Sequence, residues 1–243
     1  MINILIPLAG KNQFFPETEY PFPKPLIEFN GKTMLEHVLS NFNAIKDDKQ
    51  FIFIVNNDDC KKFHLDNVLN LLTEFTCKII KLNHETRGAA CSAMMAVEYI
   101  DNAIPLIITN ADQLFDIELS EVISLFEKQC DAGVITFESI HPRWSYVKIN
   151  DDGNVVETAE KRPISKDAIA GFYYFQKGSY FIESASKMIQ KDAHVNGLYY
   201  IAPSLNEMVL QNKIIRTYKV ENKDYHTFYT PQKIQEYERE KRA

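Results

Sequence analysis

The feature that most constrains this chain is an alternation of short apolar runs with helical patterns over its first 110 residues. NILIPL (3–8), FIFIV (51–55), KIIKL (78–82) and PLIITN (105–110) are strand-like. MLEHVLSNF (34–42), a polar helix near 60–73 and GAACSAMMAVEYI (88–100) lie between them. Runs that are apolar on consecutive positions need cover on both faces, and connections this long allow a crossover between parallel neighbours. The pattern predicts a three-layer α/β/α fold built on a mostly parallel mixed sheet.

Ligands of such sheets gather outside the carboxyl ends of the strands. Three segments fall at such ends: the loop after residue 8, the turn around Gly88, and NADQ at 110–113. Beyond residue 132 the texture changes to closely spaced strands, AGVITFE, SYVKIN, NVVETAE and AIAGFYYFQ, followed by helical stretches near 178–190 and 202–211. No repeat and no Gly/Ser linker interrupts the chain, so residues 1–243 are read as one domain. Its halves, 1–131 and 132–243, divide by function with no hinge between them.

Composition narrows the partners. A formal net charge of −6, from 27 basic and 33 acidic side chains in mixed segments, argues against broad binding of nucleic acid or anionic membrane. The apolar run of MINILIPLAGKN is too short to span a bilayer and lacks a basic leader, so the reading is a soluble, cytoplasmic protein. Cys60, Cys77, Cys91 and Cys130 are widely spaced without a CxxC pair, which suits free thiols better than a disulfide framework or a zinc site.

Four constellations carry chemistry. Leu8, Ala9 and Gly10 end the first strand with a residue that lets backbone approach a phosphate or base, or that simply makes a tight turn. In PFPKPL, Pro23 and Pro25 stiffen both sides of Lys24 and leave a pre-placed positive charge. Asp112 in NADQ suits a divalent cation held against phosphates, and equally suits capping the next turn. Glu160 and Lys161 in EKRPIS end a strand before a proline, where a lysine would face Lys24 across a sheet-edge cleft or pair on the surface with its neighbour.

LAG, PKPLIEFNGKTMLEHVL, GAACSAMMA, NADQ, HPRWSYVKI and EKRPIS followed by AGFYYF occur in an order and spacing that resembles sugar-1-phosphate nucleotidylyltransferases of the Rossmann-like, glycosyltransferase-A-like fold. The likeness runs through nearly the whole chain. It looks closest to a subgroup from bacterial capsule clusters that includes the CTP:phosphoglutamine cytidylyltransferases. The resemblance implies that Leu8, Ala9, Gly10, Lys11, Lys24, Arg87, Gly88, Ala89, Asn110 and Ala111 surround the nucleotide. Arg143, Tyr146, Glu160, Lys161 and Gly171 would surround the acceptor, and Asp112 would hold Mg2+. Lys24, Asp112 and Lys161 would then carry the transfer of a nucleoside monophosphate from an NTP, favoured CTP, to a phosphorylated small molecule. That acceptor would be a sugar phosphate or a phosphorylated amide, in capsule or surface polysaccharide synthesis, with pyrophosphate as the leaving group. Assembly into a homo-oligomer is compatible with this reading.

Three departures accompany the resemblance. Phe14 stands where the family's first loop carries an arginine, with Lys11 and Arg87 as candidate replacements. Leu198 stands where an acidic residue helps hold the acceptor. YHTFYTPQKI (225–234) keeps Thr230 and Pro231 but lacks the second metal-binding aspartate, with Asp224 near but out of register and His226 either packed or solvated. These departures leave two further readings in view: a nucleotide-binding paralogue with weakened catalysis, and a sugar-nucleotide-dependent glycosyltransferase. The second predicts a DxD-like motif, whereas NADQ has one acidic residue.

Overall fold

The protein is described by a computed structural model covering residues 1–10 and 14–242. Strand β1 (Ile2–Pro7) leads through a 3-10 turn at Lys24–Leu26 and a small hairpin, β2 (Glu28–Phe29) and β3 (Lys32–Thr33), into α1 (Met34–Ser40). Then come β4 (Lys49–Asn56), α2 (Asn57–Phe63), α3 (Leu65–Leu72), β5 (Lys78–Leu82), α4 (Ala89–Met94), α5 (Val97–Ile100), β6 (Leu106–Thr109), β7 (Gln113–Phe115) and α6 (Leu119–Gln129). The second half supplies β8 (Ala132–Glu138), β9 (Ser145–Ile149), β10 (Val155–Glu160), β11 (Asp167–Phe175), α7 (Gly178–Gln190), α8 (Ile201–Leu210), β12 (Ile215–Lys219), β13 (Tyr225–Thr227) and α9 (Pro231–Arg242).

The expected α/β architecture is present. Among the described residues a nine-stranded sheet runs β10-β9-β11-β6-β1-β4-β5, with β8 paired to β11 and β12 paired to β8. Strands β6, β1, β4 and β5 are parallel, whereas β11 runs antiparallel to β6, β8 and β9. Ile4, Ile6, Phe53, Val55 and Ile107 enter one apolar cluster, and Leu5, Ile52, Ile54, Leu106 and Ile108 enter another, so successive residues of one strand serve opposite faces. A third cluster joins Phe15, Phe29, Phe228, Ile234 and Tyr237, which places the aromatic first loop and α9 in one small core.

Local signals explain most boundaries. Thr33 accepts the Glu36 amide while the Glu36 carboxylate accepts the Thr33 amide, a reciprocal cap at the start of α1 contributing roughly 0.5–2 kcal/mol. The polar helix expected near 60–73 is two helices, because His64 takes left-handed backbone (φ 53°) and its amide closes on the Cys60 carbonyl. The pattern expected over 88–100 also divides, into α4 and α5. The cysteines are free thiols, and burial pushes the Cys130 thiol up to about 12. Among the described residues no helix is long and apolar enough to cross a membrane.

Strand β11 knits the sheet. Its pairing with β8 slips between Ile169 and Tyr173, and Gly171 sits in that bulge with φ +59°. A Cβ there would lie 2.1 Å from Asn110 Nδ2, and the Gly171 carbonyl accepts the Asn110 amide at 3.0 Å. Gly171→Ala should therefore lower the melting temperature by roughly 4–10 °C, from about 1–3 kcal/mol of backbone strain alone. Gly10→Ala, whose Cβ meets nothing within 4 Å, is the matched control and should move it little. Equal melting curves for the two variants would contradict the close approach.

Candidate active site

The candidate nucleotide residues lie where parallel strands end. Leu8 continues β1 and donates its amide to Ile54 at 2.7 Å, so Leu8 is buried in the core while Gly10 is exposed. Neighbouring β6 ends at Thr109, and Asn110, Ala111 and Asp112 follow at the same edge. The 3-10 turn fixed by Pro23 and Pro25 swings Lys24 across the gap, where its ammonium bonds the Asp112 carboxylate. Both side chains keep about a quarter of their surface in solvent, 23% and 25%. The Lys24 ammonium also lies 5.4 Å from the Phe15 ring, so the charge has an aromatic floor.

Asp112 is held from three directions. Its carbonyl accepts the Phe228 amide at 2.8 Å, β13 pairs with β7 immediately beyond it, and Asn41 at the end of α1 clasps both Gln113 and Phe115 at 3.0 Å. The Gln113 side chain is almost wholly buried. Its amide donates to Thr109 Oγ1 and to the Gly171 carbonyl at 3.0 Å, and its oxygen accepts the Tyr225 hydroxyl at 3.2 Å. Burial, and then the Asp112 and Tyr173 charges, push the Tyr225 phenol well up. This support was not read from the sequence, because Gln113 and Tyr225 are 112 residues apart and only the fold joins them.

Glu160 and Lys161, expected at the acceptor, lie at the end of β10. Lys161 follows it in left-handed backbone (φ 55°), and its amide donates to the Trp144 carbonyl at 3.0 Å. Helix α8 is clamped to β10 by paired bonds between Asn206 and Thr158, at 2.7 and 3.0 Å. That docking brings Tyr200, at the start of α8, to the Lys161 ammonium, which donates to its hydroxyl at 2.7 Å. The Glu160 carboxylate accepts the Ser145 hydroxyl. Burial raises its carboxyl above the ordinary 4.5, against the lowering effect of Ser145 and Lys161. Burial, and then the Glu160 charge, push the Tyr173 phenol up.

Other expected residues have different surroundings. Gly88 (φ +106°) lies so close to the 195–203 segment that a Cβ would stand 2.4 Å from the Tyr199 carbonyl oxygen, which itself accepts the Ala90 amide. Arg87 stacks at 5.1 Å over the Tyr199 ring, whose hydroxyl donates to Asp192 at 2.6 Å, so its guanidinium is engaged on that side of the turn. Tyr146 is wholly buried and its hydroxyl donates to the His141 carbonyl at 2.6 Å; it offers an acceptor no surface and instead holds the turn that carries Arg143. Gly171 contributes backbone beneath Asn110. Lys11 lies outside the described residues.

The departures are also placed. Leu198 is exposed in a tight turn closed by Val195. The register of β13 sets Thr227 opposite Gln113 and Phe228 beside Asp112, so no carboxylate from this strand reaches the position. Asp224 lies earlier, its carbonyl accepting the Asp116 amide. His226 is packed and bonds Asp116 at 3.0 Å. Among the described residues no three His, Cys, Asp or Glu side chains form a cation cage. A lone carboxylate fits Mg2+ shared with a triphosphate, since that ion keeps waters and takes one or two carboxylates plus phosphate oxygens.

This fold is shared with known proteins. A nucleoside-diphosphate-sugar pyrophosphorylase from Vibrio cholerae superposes with TM-score 0.84 at 24% identity, covering 97% of this chain and 99% of that one. The inositol-1-phosphate CTP transferase from T. maritima gives 0.74 at 13% identity, covering 96% and 91%. The sequence model of the Nucleotidyl transferase family matches residues 13–222, and the chain belongs to that family. Among curated relatives, the bifunctional protein GlmU of Limosilactobacillus reuteri is 26% identical across 91% of this chain and 48% of its own length. GlmU of Methanocaldococcus jannaschii is 22% identical across 78% and 44%. The 2-C-methyl-D-erythritol 4-phosphate cytidylyltransferase of Thermosipho africanus is 30% identical across 44% and 42%. The chain thus spans about half the length of the curated relatives it matches.

The raised carboxyl of Glu160 gives a pH test. Its charged form is disfavoured in the fold, so its stability contribution is full below 4.5 and is lost as pH rises through the higher folded value. Glu160→Gln escapes that loss. The urea midpoints of parent and variant should meet near about pH 4, and the variant should gain on the parent toward about pH 7. A gap that closes or reverses over that range would contradict the burial argument.

Proposed function

We propose that this protein transfers a nucleoside monophosphate, favoured CMP, from an NTP to a phosphorylated small-molecule acceptor. The observation that carries the reading is the Lys24–Asp112 pair at the carboxyl ends of β1 and β6, with Lys161 across the cleft at the end of β10. An oxygen of the acceptor phosphate attacks the α-phosphorus in line. The bond from that phosphorus to the bridging oxygen breaks, pyrophosphate departs, and a new diphosphate bridge remains. The protein supplies no nucleophile; its work is to hold two anions together and to place positive charge around the transferred group.

In that scheme Lys24 holds the donor phosphates and Lys161 the acceptor phosphate. Residues 1–131 form the nucleotide half and 132–243 the acceptor half. Asp112 would hold Mg2+, which would supply charge neutralisation for the triphosphate. Lys24, which pairs with Asp112 here, would serve the donor phosphates when Asp112 holds the cation. CTP is favoured by the likeness of the motifs to capsule-cluster cytidylyltransferases and by the cytidylyl or CTP activities in the names of two similar proteins. A phosphosugar or a phosphoamide such as phosphoglutamine, used in capsule or surface polysaccharide synthesis, is the favoured acceptor class.

A second reading, a nucleotide-binding paralogue of low activity, is favoured by one observation: the segment paired beside Asp112 reads Tyr225, His226, Thr227 and Phe228 and brings no second carboxylate there. A pyrophosphate-release screen of four NTPs against phosphorylated sugars, amino-acid amides and amino alcohols separates the two. Turnover should appear with CTP above the other three, and thermal stabilisation by an NTP without any release would favour the paralogue.

Asp112→Ala should abolish release while leaving melting nearly unchanged; undiminished release would remove Asp112 from the site. Lys24→Ala should raise the KM for NTP and Lys161→Ala the KM for acceptor, each by about one to two orders of magnitude. The opposite assignment of the two effects would reverse the two ends of the cleft.

A further inference from the structure

We propose that Arg143 grips the triphosphate of the donor, and so serves the nucleotide end of the cleft. The inference rests on the nucleotidyl-transfer reading and narrows it. The Arg143 guanidinium carbon lies 3.6 Å from the centroid of the Tyr229 ring, with the Trp144 ring at 5.5 Å and the Phe14 ring at 6.0 Å. Phe14 and Trp144 both meet Tyr229 edge-on, at 6.2 and 6.3 Å, so the three rings form one cluster around the cation.

Each ring is one covalent step, or one hydrogen bond, from a residue of the proposed machinery. Phe14 precedes Phe15, the ring beneath Lys24. Tyr229 follows Phe228, whose amide donates to the Asp112 carbonyl, and the Trp144 carbonyl accepts the Lys161 amide. Arg143 therefore stands where the segments carrying Lys24, Asp112 and Lys161 converge. Two of its three rings belong to the donor end, and at the acceptor end Lys161 is already aimed by Tyr200.

The charge on Arg143 is not spent inside the protein. Arg162 bonds Glu157 at 3.0 Å, whereas the guanidinium of Arg143, among the described residues, has neither a carboxylate partner nor a side-chain hydrogen bond. Stacking uses the flat face of a guanidinium and leaves its edge, with a fork of N–H donors matched to phosphate oxygens. The backbone beneath is fixed: the Ser139 hydroxyl accepts the His141 amide at 3.2 Å and His141 Nδ1 accepts the Arg143 amide at 3.3 Å. Tyr146 locks the same turn from the core. A half-buried fork, unneutralised among the described residues and stacked on rings of the segments that lead to Lys24 and Asp112, suits a phosphate.

The same cluster gives Phe14 a purpose. Its ring borders the guanidinium, so a cation placed at position 14 would reach the spot that Arg143 fills. That relation makes the proposal testable by exchange as well as by removal.

Calorimetry with Mg2+ and the α,β-methylene analogues of the four NTPs, and separately with inorganic phosphate, decides it. Arg143→Ala should weaken the best-bound analogue by about 10- to 100-fold, the worth of a charge-assisted contact, and leave inorganic phosphate binding unchanged. Arg143→Lys should recover only part of the loss, because it restores charge without the fork. Phe14→Arg in the Arg143→Ala background should recover most of it. Parent-like analogue binding by Arg143→Ala overturns the proposal, as does a loss confined to inorganic phosphate, which would return Arg143 to the acceptor. If pyrophosphate release proceeds in the parent while Arg143→Ala keeps its KM for NTP, only the Arg143 assignment falls. If the parent binds none of the four analogues, that assignment and the transfer reading fall together.

Discussion

The close approach of β11 to the end of β6 is the constraint on which the rest depends. Only a residue without a Cβ can hold φ +59° at position 171 while Asn110 stands against it, and the resulting bulge lets one strand bond both β6 and β8. The carbonyl freed there accepts from Asn110 and from Gln113. Gln113 then takes the Tyr225 hydroxyl, which ties β13 beneath Asp112. A kink in one strand thus fixes a carboxylate 59 positions earlier in the chain by way of four buried polar groups, each with a partner. Buried networks of this kind are rigid only when satisfied, and this one supports a half-buried charge pair beside it.

The electrostatic layout follows from that scaffold. Lys24 and Asp112 cancel one another, Lys161 is aimed by a tyrosine, and Arg143, stacked on Tyr229, has no carboxylate partner among the described residues. A protein with net charge −6 has no general attraction for polyanions. On the proposed reading, its affinity for phosphates would come from this local group. Lys161 holds left-handed backbone at a cost of about 1–3 kcal/mol, and Thr158, Asn206 and Tyr200 are the contacts that sustain it.

Much of this was legible before the structure. The strand runs of the first half have continuous apolar residues because both faces are covered, and that made β1, β4, β5 and β6 visible together with their carboxyl-end loops. The prolines around Lys24 foretold its fixed position, since ring closure acts locally. What the sequence hid was set by register and packing. β12, β13 and α9 have no strong periodic signal, and His64 divides a helix through a left-handed residue that spacing does not reveal. Arg87 faces Tyr199, Tyr146 lies in the core, and the pairing of β13 with β7 sets Thr227 opposite Gln113. Side-chain direction in a loop is a tertiary property.

The direction of attack is the central chemical claim, and phosphorus NMR of a reaction run with an acceptor labelled by 18O at its three non-bridging phosphate oxygens tests it directly. If an acceptor oxygen attacks the α-phosphorus between Lys24, Asp112 and Arg143, all label stays in the nucleotide-linked product, one atom of it in the new bridge, and the pyrophosphate is unlabelled. Label appearing in pyrophosphate, or NTP consumed with no bridged product, would contradict the account.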